Sequence, residues 1–134
     1  PDRLAAARAL AARARSIVLL KGSTTVVAEP DGRAAVNLTG GSWLATAGTG
    51  DVLSGIMGAF VAGSGAELGQ VAAAAWVHGR AADHAGHTGL VAGDLIDALP
   101  RTLRELEDVE ANGPEGAGRV SRPASEPTNE GEGA

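Results

Sequence analysis

The chain has 134 residues, 44 % of them hydrophobic, with no cysteine and a formal charge of −5. That length allows one domain, and the missing thiols exclude a disulfide frame and any thiolate metal site. Eight acids and two arginines fall at 105–134, which leaves the first 104 residues at +1 and no basic stripe of the kind that binds nucleic acid.

No apolar run is long enough to span a membrane and no basic-then-apolar leader opens the chain. A soluble, cytoplasmic protein is expected, without nucleic-acid or membrane partners. The first residue is Pro1 rather than methionine, so the natural start is expected upstream.

"DRLAAARALAARARS" sets Leu4, Ala7, Leu10, Ala11 and Ala14 at helical spacing, with the arginines mainly off that face. "SIVLLKG" follows as a short apolar run ended by glycine, which reads as a buried strand of a parallel sheet. Helix then strand is the grammar of α/β domains. From Thr24 to Asn37 two strand-like runs flank Glu29-Pro30-Asp31-Gly32, a hairpin turn in which glycine supplies the positive φ.

After a loop over 38–50, a buried helical stripe runs from Asp51 to Ala62 through Leu53, Ile56, Met57, Phe60 and Val61. Gly55 and Gly58 interrupt it, and close packing against the sheet is their expected use. Ser64 with Glu67 makes a capping-box pattern for a helix reaching Ala85. Another helix is expected from Asp94, breaking or restarting at Pro100, where the ladder lacks an amide. The acidic Gly/Pro/Glu-rich stretch 110–134 is expected to be disordered, leaving a domain over 1–109.

Chemistry concentrates in "LATAGTGDVLSG". Gly48-Thr49-Gly50 at a helix start lets successive amides converge on one anion, helped by the helix dipole. Asp51 stands beside that cradle, and such a pair suits phosphoryl transfer, the acid taking a proton while amides spread the phosphoryl charge. A capped turn without catalytic purpose is the alternative reading of the same four residues. A P-loop is excluded by the missing Gly-Lys-Ser/Thr, and the dinucleotide fingerprint by Leu53 in its third glycine position.

Lys21 ends its strand, where open α/β sheets bind ligands. His78, His84 and His87 do not share a helix face, which disfavours a metal site and makes His78 a packing or hydrogen-bonding residue.

The blocks "VLLKGSTTVVAEPDGRAAVNLTG", "LATAGTGDVLSGIMGAFVAGSG", "AAAAWVHGRAADHAG" and "GLVAGDLIDALPRTLREL", in this order, resemble the carboxyl-terminal half of the ADP/ATP-dependent NAD(P)H-hydrate dehydratases. The resemblance covers roughly residues 2–106. It implies a ribokinase-like α/β fold in three αβα layers, of which this chain holds the carboxyl-terminal half only. It further implies repair of hydrated NADH or NADPH: ADP or ATP phosphorylates the offending hydroxyl, which then leaves as phosphate.

In that scheme Lys21, Gly22, Ser23, Thr24, Thr25 and Gly50 match nucleotide-binding positions, and Asp51 matches the catalytic acid that touches the hydrated cofactor. Mg2+ is expected on the nucleotide, with no protein ligand named. The resemblance also implies a homo-oligomer and an NAD(P)H-hydrate epimerase domain upstream. Thr39-Gly40-Gly41-Ser42 stands where the family commonly has Thr-Gly-Asn-Pro, a change expected to loosen the loop, and Ala47 replaces a glycine, which is mild if its φ is negative. Family domains are about twice this long, so this chain alone is expected to be inactive. The alternatives are a ribokinase-fold kinase of a small alcohol, such as a sugar or vitamin precursor, and a non-catalytic binding remnant.

Overall fold

In the computed structural model residues 2–112 are described, apart from the side chains of Glu110 and Asn112. Four α-helices, α1 (Arg3–Ala14), α2 (Thr49–Ser64), α3 (Leu68–Ala85) and α4 (Ala92–Asn112), accompany three strands, β1 (Val18–Leu20), β2 (Thr25–Ala28) and β3 (Ala34–Asn37). A 3-10 turn occupies Ser42–Leu44. The tail expected at 110–134 lies, beyond Asn112, outside the described residues.

The strands form an antiparallel meander in the order β1-β2-β3. β1 pairs Val18 with Ala28 and Leu20 with Val26, and β2 pairs Ala28 with Ala34. This corrects the parallel, buried strand expected for "SIVLLKG". The connection from β1 to β2 is only four residues long, and a parallel crossover needs a dozen or more. β1 is half-buried because one of its edges has no neighbour among the described strands.

Alternation along β2 builds the layers. Val26 and Ala28 face α1 and pack on its fully buried Ala7 and Ala11. Val27, 1 % exposed, points the other way, towards Ala72, Ala73 and Trp76 of α3. The order helix, sheet, helices is therefore present. Small alanines on α1 let that helix lie close against the sheet, which sets where its amino-terminal Arg3 falls.

The hairpin turn forms as its residues dictate: Gly32 has φ +91°, and its N–H donates to Glu29 O at 3.0 Å. Glu29 has a second role. Its Oε1 accepts the Leu68 N–H at 3.0 Å, capping α3 from the sheet. The expected Ser64–Glu67 box does not form, because α2 continues to Ser64 and Glu67 makes no side-chain cap.

α4 runs through Pro100 without the expected break. Its packing against α3 on both sides of the proline, through Leu95, Leu99 and Leu106, outweighs the lost ladder bond. Asp94 Oδ2 accepts the Val91 N–H at 2.9 Å at the start of the helix. Gly55 and Gly58 are also corrected: both are exposed, with open space where a Cβ would stand, since α2 turns its buried stripe to α3 and α4.

Candidate functional site

Two loops meet where β1 ends and α2 begins. Lys21 follows β1 directly, and its Nζ donates to Thr49 Oγ1 at 3.4 Å. Thr49, the first residue of α2, is 1 % exposed, and its hydroxyl proton is shared between Leu44 O at 2.7 Å and Thr46 O at 2.9 Å. This buried hydroxyl both accepts from a lysine and donates to carbonyls. It locks the turn to the end of β1.

Gly48 caps α2 with φ +85°, a value open to glycine and strained for other residues, and Ala92 closes in where its Cβ would be. The helix thus starts two residues earlier than the sequence suggests. Ala47 has no positive φ, as its substitution for glycine requires. The N–H groups of Asp51 and Val52 both donate to Gly48 O at 3.1 Å. Those of Gly48 and Gly50 find no partner among the described residues. Gly50 and Asp51 are exposed in the first helical turn, and the Asp51 carboxylate has no partner among the described residues.

The third element is His78, on α3 and 3 % exposed. Its Nε2 lies 2.8 Å from Thr49 O, and a carbonyl can only accept, so Nε2 carries the proton. Burial holds the imidazole below its ordinary value; the bond to Thr49 opposes this, and the Lys21 charge adds to it. The ring is neutral at neutral pH, the hydrogen-bonding role the sequence suggests.

A groove of about 460 Å³ opens between these parts. Lys21, Gly22 and Ser23 line it from the β1–β2 loop, Thr25 from the start of β2, Asn37 from the end of β3, Thr39 from just beyond it, and His78 from α3. Thr24 does not line it and turns its carbonyl towards Arg3 at 3.4 Å. Gly48, Thr49, Gly50 and Asp51 are not part of the groove wall, and join it through the Lys21–Thr49–His78 chain of contacts.

Asn37 and Thr39 escaped the sequence reading. Asn37 Nδ2 donates to Ala75 O at 3.0 Å and Thr39 Oγ1 to Trp76 O at 3.1 Å, pinning the loop to α3. Gly79 permits this, since a Cβ there would overlap Thr39. The loop expected to be loosened by Gly41-Ser42 is anchored at its Thr39 end. A glycine one residue after the buried histidine, inside a helix, is the signal that marks such a close approach.

The residues present fit a phosphate-bearing ligand. The groove has the size of small-molecule sites, an ammonium stands at its edge, and a helix start with two unpartnered amides lies next to it. Among the described residues no group of three or more His, Asp or Glu side chains could hold a metal ion. No described helix is long and apolar enough to cross a membrane.

An αβα arrangement with this loop pair defines the ribokinase-like α/β class. Residues 1–104 match the Carb_kinase family, described as NAD(P)H-hydrate dehydratase. The bifunctional NAD(P)H-hydrate repair enzyme of Moorella thermoacetica is 47 % identical over 112 residues, 80 % of this chain and 21 % of that protein. The ADP-dependent (S)-NAD(P)H-hydrate dehydratase of Neisseria meningitidis serogroup B is 45 % identical over 108 residues, 77 % of this chain and 36 % of that one. The crystal structure of the ADP/ATP-dependent NAD(P)H-hydrate dehydratase of Bacillus subtilis, co-crystallised with ATP/Mg2+, superposes with a TM-score of 0.71 at 33 % identity, over 78 % of this chain and 39 % of that one.

The chain belongs to the NAD(P)H-hydrate dehydratase family. It spans 21 % to 39 % of the length of these relatives.

Proposed function

We propose that this chain is the carboxyl-terminal half of a ribokinase-like domain, over residues 1–109, whose intact parent dehydrates hydrated NADH or NADPH at the expense of ADP or ATP. The observation that carries the reading is the junction of Lys21 and Thr49 at 3.4 Å, which sets a lysine beside a helix start that bears two unpartnered amides and the exposed Asp51.

Each residue then has a task. Lys21, Gly22, Ser23 and Thr25 meet the nucleotide from the groove wall, with Lys21 as the fixed positive charge, and Thr24 completes that stretch from behind, on Arg3. Gly48, Thr49 and Gly50 present the helix start to the transferring phosphoryl group. Asp51 takes the proton of the substrate hydroxyl as that oxygen attacks the terminal phosphorus and the bond to the nucleotide breaks. The ring carbon–oxygen bond then breaks with phosphate as leaving group, and the neighbouring carbon gives up a proton to restore the double bond. Hydroxide leaves poorly and phosphate leaves well, which is why a dehydration needs a phosphoryl donor. Mg2+ rides on the nucleotide and supplies charge neutralisation. The setting proposed is the cytoplasm, with a homo-oligomer and an upstream epimerase domain.

The test is to incubate the longest natural chain that carries residues 1–134 with hydrated NADH and either nucleotide. NADH absorbance should return only when nucleotide is present, and the 134-residue chain by itself should give no turnover. Phosphorylation of some other alcohol, with no return of absorbance, would instead establish a kinase of a small alcohol.

A further inference from the structure

Arg3 is the first residue of α1, whose start is fixed by Asp2 Oδ1 accepting the Ala5 N–H at 3.0 Å. Its guanidinium crosses to the β1–β2 loop. Its Nη2 donates to Leu20 O at 3.3 Å, Lys21 O at 3.0 Å and Thr24 O at 3.4 Å. Gly22 rests on the same guanidinium so closely that a Cβ at this position would overlap it. No carboxylate pairs with Arg3 among the described residues.

This contact determines which way the loop's peptide units face. A trans peptide is planar, with its C=O and N–H on opposite sides. With the Lys21 carbonyl turned to Arg3, the N–H of Gly22 points away from it. That N–H has no partner among the described residues, and Gly22 lines the groove. The guanidinium therefore gathers carbonyls on one side of the loop and leaves an amide free on the other, adding an unpaired positive charge beneath. Glycine at 22 is what allows the plate to lie so near.

We propose that Arg3 is the positioning residue of the Lys21–Thr25 loop: it holds the loop's carbonyls so that the Gly22 amide and Lys21 are presented to a phosphate-bearing ligand in the groove. The proposal rests on the nucleotide reading of that loop. Arg3 touches the loop and not the ligand, so its removal acts through loop order.

The test compares the longest natural chain that carries residues 1–134 with its Arg3→Met variant, which keeps an apolar stem, and its Arg3→Lys variant, which keeps a charge and covers the case in which the first variant folds poorly. Without nucleotide, backbone NMR order parameters at Gly22 and Ser23 should fall in Arg3→Met from the rigid range of about 0.85 to below about 0.6, while those of α3 stay unchanged. On ADP titration the wild-type Gly22 amide resonance should shift, and Kd should weaken roughly tenfold in Arg3→Met. Arg3→Lys should recover only part of this, because the ammonium keeps the charge but lacks the flat guanidinium plate on which Gly22 rests. Unchanged order parameters in both variants would overturn the positioning role and leave the nucleotide reading standing. Order parameters that fall in Arg3→Met, with no response of wild-type loop amides to ADP, would remove the nucleotide reading and Arg3's role towards a ligand with it.

Discussion

His78 donates through Nε2 to the carbonyl of Thr49 at 2.8 Å, so one buried ring on α3 holds the first residue of α2 in place. His78→Phe keeps a ring of similar bulk and deletes the donor. A single hydrogen bond of this kind contributes about 1 kcal/mol. In a domain of this size that lowers the melting midpoint by roughly 4–8 °C. Thermal unfolding followed by circular dichroism checks it. The loss should come with faster hydrogen exchange at Thr49, Asp51 and Val52, whose amides donate to Thr46 O and Gly48 O, which a general loosening of the core would not single out.

The same histidine makes stability depend on pH. Burial holds its folded value below the ordinary 6.5, so between these two values the unfolded chain binds more protons. Its contribution is complete above about 6.5 and is lost as pH falls from there towards the folded value. Glu105 adds a second, lower window. The Arg80 guanidinium, 2.7 Å away, is the main cause holding its carboxyl below the ordinary 4.5, and His84 at 2.7 Å assists. Its contribution is complete above about 4.5 and lost as pH falls below. A third of this side chain is exposed, so screening keeps the effect under about 1 kcal/mol. Urea midpoints across pH should show two steps, the upper flattened by His78→Phe and the lower by Glu105→Gln.

Glycines in the helices should respond to alanine with opposite signs. At Gly79 a methyl would overlap both the hydroxyl and the backbone of Thr39. Overpacking of this kind costs about 1–3 kcal/mol. At Gly55 and Gly58 nothing lies within reach of a Cβ. Alanine there should stabilise the chain by up to about 1 kcal/mol each, the helix-propensity difference alone. Chemical unfolding of the three single variants decides the matter, and stabilisation by Gly79→Ala would mean that the Thr39 contact is not as drawn.

These contrasts show what the sequence could and could not reveal. The stripe Leu53, Ile56, Met57, Phe60 marks its helix because burial on one side repeats every turn, and Glu29-Pro30-Asp31-Gly32 marks the hairpin because its φ requirements are local. Strand direction is different: whether "IVLL" lies parallel or antiparallel depends on a partner, and an apolar run looks the same in both. Glu29 in place of Glu67 as the cap of α3 was hidden for the same reason, since the Leu68 amide finds it 39 residues away. Within the site, Lys21, the glycine turn and Asp51 stood out by residue type. Arg3, Asn37 and Thr39 did not, because their role lies in carbonyls contributed by other segments.

Asp51 offers the most direct check of the chemistry. It stands third in α2, exposed, at the helix end where the dipole favours a negative charge. Asp51→Asn in the intact parent keeps shape and hydrogen-bonding reach but cannot take a proton. Nucleotide binding should persist, because Lys21 and the turn amides are untouched, and kcat should fall about 10²–10⁴-fold, the usual share of general base catalysis. Single-turnover kinetics with hydrated NADH, beside an ADP titration, separates the two quantities. Wild-type turnover in the variant would remove Asp51 from the proton path, whereas loss of nucleotide affinity alone would make it a binding residue. A fall in kcat at constant affinity is the pattern that a proton acceptor beside a phosphate cradle must give.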